Sequence, residues 1–201
     1  MLAPLLYRVA SRLMLGPVSG ASRIRRAVID ASSVEQNVNV LELGCGPGLL
    51  TQHLVNAGAR VHAVELSREM LDAARRRAPT ATFEQADVRQ FDSGSTYDVI
   101  ILSYVLHELP ASELPVLLDR WRTLLRDNGR LVVLDHALPN SAWRSTWLRI
   151  LRMVEGRTID EWLDVVLRRL IESGGTVVTT DSLLGGGRAR LIVAQPNRPA
   201  A

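Results

Sequence analysis

The chain has no lysine: all 24 of its basic residues are arginine. A phosphate-cradling loop of the Gly-Lys-Ser/Thr type is therefore excluded. There is one cysteine, Cys45, so no disulfide can form within the chain and nothing points to an oxidising compartment. With one cysteine and four histidines, no metal-ligand spacing is present and no metal is expected. No stretch of about twenty apolar residues occurs, so no membrane-spanning helix is expected. The opening segment is apolar, but Arg8 and Arg12 interrupt it where a secretory signal needs an unbroken apolar centre. A cytoplasmic location is the expectation that follows. Formal net charge is +3, too weak to argue for nucleic acid. What is left, 201 residues that are 47% hydrophobic and 22% charged, suffices for one soluble domain with a full core.

The organising stretch is Asn39-Val40-Leu41-Glu42-Leu43-Gly44-Cys45-Gly46-Pro47-Gly48-Leu49-Leu50. An apolar run enters it, Glu42 stands near the end of that run, and three glycines follow at alternate positions. A helical pattern leaves it. This reads as strand, tight turn, helix, with free N–H groups at the helix start aimed back at a ligand. A dinucleotide fingerprint needs glycine at the first, third and sixth positions, and the sixth position from Gly44 is Leu49. What remains is acid-x-Gly-x-Gly-x-Gly. Cys45 within it reads as a small residue in a crowded turn.

Downstream the pattern alternates. Strands are expected at 38–43, 60–64, 82–85, 98–102 and 130–134, and helices at 49–57, 67–78 and 112–126. Ser67 and Ser112 are the expected caps, and the apolar run at 98–102 argues for burial on both faces. Asp127-Asn128-Gly129 is the expected turn into the fifth strand. Helices at 141–154 and 158–173 follow, then strands at 176–181 and 189–194. Those two are too close in sequence for a parallel crossover and must form a hairpin. Residues 1–36 read as two helices, either packed on the sheet or capping the site, and residues 196–201 as a tail.

These residues resemble the class I S-adenosylmethionine-dependent methyltransferases, over about 38–194. The resemblance implies an α/β fold: a doubly wound, mostly parallel, seven-stranded Rossmann-like sheet. A C-terminal antiparallel hairpin strand and an N-terminal helical cap complete it. It implies a domain over 37–195 with a helical lid insertion at about 137–173. It also implies S-adenosyl-L-methionine as cofactor. Glu42, Gly44, Cys45, Gly46 and Gly48 would then hold the methionine part. Glu65, at the end of strand two, would accept the ribose hydroxyls, with Leu66 beside it. Asp87 and Val88 would meet the adenine, and Ser103 would line the floor with Tyr104.

Methyl transfer mainly requires holding nucleophile, methyl and sulfur in line, with a base only where the nucleophile carries a proton. His107, in Leu106-His107-Glu108-Leu109, and His136, at the mouth of strand five, are the candidate bases. Tyr7 is a third candidate, from the N-terminal tyrosine of quinone- and lipid-type relatives. No Asn/Asp-Pro-Pro-Tyr/Phe follows strand four, which disfavours base methylation of nucleic acid. Trp143, Trp147, Ile150, Leu151 and Val154 fall on one helical face, with Arg149 and Arg152 opposite and Arg144 at the edge. A lid packed on the core is the favoured reading, and peripheral contact with anionic lipid is the alternative. The expected partner is a small, fairly apolar methyl acceptor. The competing readings are an RNA or protein methyltransferase, and a non-catalytic cofactor-binding or regulatory protein on the same fold.

Overall fold

The computed structural model describes residues 18–138, 142, 144–154, 176–184 and 187–196. Seven strands form one sheet: β1 (Asn39–Leu43), β2 (Arg60–Glu65), β3 (Thr82–Gln85), β4 (Tyr97–Ser103), β5 (Leu125–His136), β6 (Thr176–Leu184) and β7 (Ala189–Pro196). Their order is β3-β2-β1-β4-β5-β7-β6. The first five run parallel, with Val40 beside Val61 on one side and Val99 on the other. β7 enters antiparallel between β5 and β6, pairing Val132 with Val193. The expected C-terminal hairpin is therefore present.

Alternation along the strands builds two layers. Leu41, Leu43, Ile100, Leu102, Leu131 and Val133 point to one face. Helices α4 (Leu114–Thr123) and α5 (Arg144–Val154) cover it, through Leu117, Leu118 and Trp121 and through Trp147 and Leu151. Val40, Val61, Val99, Ile101, Val132 and Leu134 point to the other. There α1 (Val18–Ser32) brings Ile24 and Val28, α2 (Leu49–Asn56) brings Leu50 and Leu54, and α3 (Arg68–Arg77) brings Leu71 and Ala74. β4 is buried on both faces from Val99 to Leu102, as the run predicts. Truncating a side chain such as Ile100 to alanine there removes about 2–5 kcal/mol.

Helix ends follow their sequence signals in part. Ser67 caps α3, its hydroxyl accepting from the Met70 N–H at 3.4 Å, and Arg75, Arg76 and Arg77 complement the far end of the dipole. Ser112 does not cap α4. That helix begins at Leu114 behind Glu113, with Pro115 in its first turn, and makes no side-chain cap bond. It also stops at Thr123, earlier than expected. The 126–129 turn is absorbed into β5 as an irregularity: Leu125 pairs with Tyr97, and pairing resumes with Arg130 opposite Val99.

The expected cap and lid are described only in part. α1 lies on the sheet rather than above a strand end. α5 is docked by Trp147, whose indole N–H donates to the Ala137 carbonyl at 3.0 Å, while Arg144, Arg149 and Arg152 are exposed. Tyr7, Trp143, the 158–173 helix and the 197–201 part of the tail lie outside the described residues. Among the described residues, no helix is long and apolar enough to cross a membrane.

Candidate active site

Strand order reverses between β1 and β4, and open α/β sheets bind ligands beyond the carboxyl ends at that point. A cavity of about 410 Å³ lies there. Gly44 and Gly46 border it from β1, Glu65, Leu66 and Ser67 from β2, Asp87, Val88 and Arg89 from β3, and Ser103 and Tyr104 from β4. The glycine turn hangs from the neighbouring strand. Gly44 N–H and Cys45 N–H both donate to the Val64 carbonyl, at 2.8 and 3.0 Å. Gly44 has φ +74°, and a Cβ on it would run into Val105. Gly48, at the start of α2, also has φ +74°, and a Cβ there would lie 2.8 Å from the Ala74 backbone. Only glycine meets both demands, the left-handed backbone and the close approach.

The three acids of the sequence pattern differ in position. Glu65 faces the cavity and braces its rim: Gly46 N–H and Ser67 N–H donate to its two oxygens at 2.9 and 2.8 Å. Asp87 also borders the cavity, gripped by the Arg89 guanidinium at 3.0 and 2.6 Å and by the Arg89 N–H at 2.9 Å. The side-chain hydrogen bond to Arg89 holds the Asp87 carboxyl below the usual carboxylate range, against partial burial. Glu42 does not reach the cavity surface. It is 1% exposed beneath the turn, with Thr51 Oγ1 donating to its carboxylate at 2.6 Å. Burial pushes the Glu42 carboxyl up to about 8, opposed by the Thr51 hydrogen bond and helped by the charge of Glu65. Cys45 and Gly48 also stand behind the rim, and burial pushes the Cys45 thiol far up, which leaves it inert.

Beyond β4 the expectation for the histidines changes. His107 and His136 are not among the residues bordering the cavity; both are buried. His107 Nδ1 lies 2.7 Å from Asp135 Oδ1, and the His107 and His136 backbone N–H groups donate to the same carboxylate at 3.3 and 2.7 Å. Burial raises the Asp135 carboxyl, but the charge and hydrogen bond of His107, with His136 behind it, more than reverse this and leave it lowered. The His107 and His136 rings meet edge to face at 4.7 Å, and Tyr104 packs on His136 at 4.9 Å. His107, Asp135 and His136 offer ligand atoms within 4.8 Å of one another, a grouping that chain spacing does not reveal. Three hydrogen bonds thus anchor the Asp135 carboxylate.

Tyr104 has φ +57°, an unusual backbone for an aromatic residue and a mark of a constrained site. Sequence reading missed the paired role of Asp135 and the cavity positions of Arg89 and Glu108. The acid-histidine juxtaposition at Asp135-His136 was the one signal available for the first.

Comparison with known proteins converges on this geometry. The family described as a methyltransferase domain matches residues 40–129. An uncharacterized methyltransferase from Synechocystis sp. is 27% identical over 203 residues, covering 97% of this chain and 93% of that protein. The N-methyltransferase NodS from Bradyrhizobium japonicum, solved with S-adenosyl-L-homocysteine, superposes with TM-score 0.69 at 17% identity, over 96% and 98% of the two chains. Magnesium protoporphyrin IX methyltransferase from Synechocystis, also with bound S-adenosylhomocysteine, gives TM-score 0.67 at 19% identity, over 93% and 84%. Residues 40–129 thus match a methyltransferase domain, and the chain has the fold of the class I S-adenosylmethionine-dependent methyltransferases. The domain and fold imply S-adenosylmethionine as cofactor, and the side-chain-free cradle at Gly44 with the acids at Glu65 and Asp87 fits that molecule.

Proposed function

We propose that the chain methylates a small, fairly apolar metabolite, quinone-, lipid- or natural-product-like. When bound, S-adenosylmethionine supplies a methyl on a sulfonium, already activated for in-line displacement. The chain's task is then to hold the cofactor, orient the acceptor and exclude water. Glu65 and Asp87 hold the nucleoside, Gly44 and Gly46 admit the methionine part, and Glu42, buried against Thr51, supports the turn from beneath.

The observation that carries the acceptor reading is the β4 wall of the cavity. Beyond Ser103 it consists of Tyr104, Val105 and Leu109, with one acid, Glu108. Such a wall suits an apolar body with few polar groups. The 137–173 segment is the proposed lid, held at its start by Trp147. Neither histidine borders the cavity, so we assign His107 with Asp135 to supporting the floor under Tyr104.

Incubating the chain with radiolabelled S-adenosylmethionine and metabolite extracts tests this. Label should enter a compound extractable into organic solvent. Label confined to RNA or protein would sink the reading.

A further inference from the structure

We propose that Glu108 receives the methyl acceptor. Its carboxylate takes a hydrogen bond from an N–H or O–H at the atom to be methylated, and so selects an acceptor that carries one there. This rests on the small-molecule reading above and deepens it.

The inference starts from how the chain turns after β4. Leu106–Glu108 is a single 3₁₀ turn, closed by Glu108 N–H to the Val105 carbonyl and Leu109 N–H to the Leu106 carbonyl, each at 3.0 Å. Residues three apart in such a turn share a face. Val105 and Glu108 accordingly border the cavity, while Leu106 and His107 are buried behind it. Histidine has the better ordinary pKa for a base, but the turn presents the glutamate. Val105 is also the side chain that packs against Gly44. Glu108 therefore stands one turn from the glycine rim, on the side where the methyl-bearing part of the cofactor belongs.

Glu65 and Asp87 also border the cavity, but from the ends of β2 and β3, away from the β4 wall on which the acceptor reading rests. Glu108 is exposed, with Leu109 beside it on the same wall. An ionised carboxylate only accepts hydrogen bonds. It favours a hydroxyl, an amine or a cationic nitrogen and repels an anionic nucleophile such as a thiolate. It also favours a positive centre at the methyl position.

That last property gives a test that needs no acceptor. Sinefungin carries an amine where the cofactor carries its methyl, whereas S-adenosylhomocysteine carries nothing there. Calorimetric titration of wild type and Glu108→Gln with both should show S-adenosylhomocysteine affinity within about twofold, and sinefungin about tenfold weaker in the variant. Equal loss for both ligands, or unchanged sinefungin affinity, would overturn the proposal. If wild type binds neither, the cofactor assignment itself fails and Glu108 falls with it.

Discussion

The two halves of the site hold their charged groups in opposite ways. At the ends of β2 and β3, Glu65 and Asp87 stand at the cavity edge, Glu65 tied to the Gly46 and Ser67 N–H groups and Asp87 to the neighbouring Arg89. At the ends of β4 and β5, Asp135 and His107 are 3% and 4% exposed and bind one another across 28 residues of chain. The first arrangement leaves lone pairs for a ligand and costs little to open. The second locks two strand ends together and offers a ligand nothing directly. One half is therefore built to bind, and the other to keep a floor rigid.

The largest expected effect comes from breaking the rigid half. Asp135→Ala leaves His107 and two backbone N–H groups buried without their acceptor and should cost about 3 kcal/mol or more of stability. Urea denaturation measures it, and a loss below about 1 kcal/mol would deny the pair its structural role. Next is the binding half. Glu65→Ala should weaken S-adenosylmethionine binding at least about tenfold by calorimetry, with little change in melting temperature, and Asp87→Ala should do the same. Unchanged affinity in both would erase the contrast.

Glu42 sharpens the comparison because it belongs to the binding half yet is buried like the other. Its carboxyl lies at about 8 in the folded chain, against an ordinary 4.5. The folded chain thus keeps a proton that the unfolded chain releases between those values. Stability from this group is complete below the lower value and is lost as pH rises through the upper one. Thermal melts of the cofactor-free chain from about pH 5 to about pH 9 should fall with pH, and Glu42→Gln should flatten that slope. Parallel slopes would show that Glu42 ionises freely. The smallest effect belongs to Arg89→Ala. Releasing Asp87 from an exposed partner should tighten cofactor binding by no more than about threefold; weaker binding would mean that Arg89 itself contacts the cofactor.

The binding half was legible in the sequence because each function there rests on one residue at one strand end. Glu65 and Asp87 fall where β2 and β3 stop, and glycines at alternate positions leave few ways to turn. The floor was not legible, because it depends on which face of a three-residue turn a side chain takes. His107 and Glu108 are adjacent in sequence and part company in space, one buried and one on the cavity. The sheet, its hairpin and α3 were readable from period and caps. The start of α4 was not, because Ser112 offered a cap that Pro115 and the chain path from the 3₁₀ turn overruled. The depth of Glu42 escaped notice because its partner, Thr51, lies on the next helix.

A tie near the end of β5 has a consequence for how such a protein can change. Ala137 donates its N–H to the Arg188 carbonyl at 3.0 Å and accepts the Trp147 indole N–H, and the Arg188 guanidinium lies 5.6 Å from the Trp147 ring centre. Three segments, the exit of β5, the start of α5 and the turn before β7, are thereby fastened at one point. The fastening lies on the β5–β7 side of the sheet order, apart from the glycine rim at the end of β1. A change of chain on that side can therefore leave the cofactor half, at the ends of β1 to β3, with its geometry unaltered.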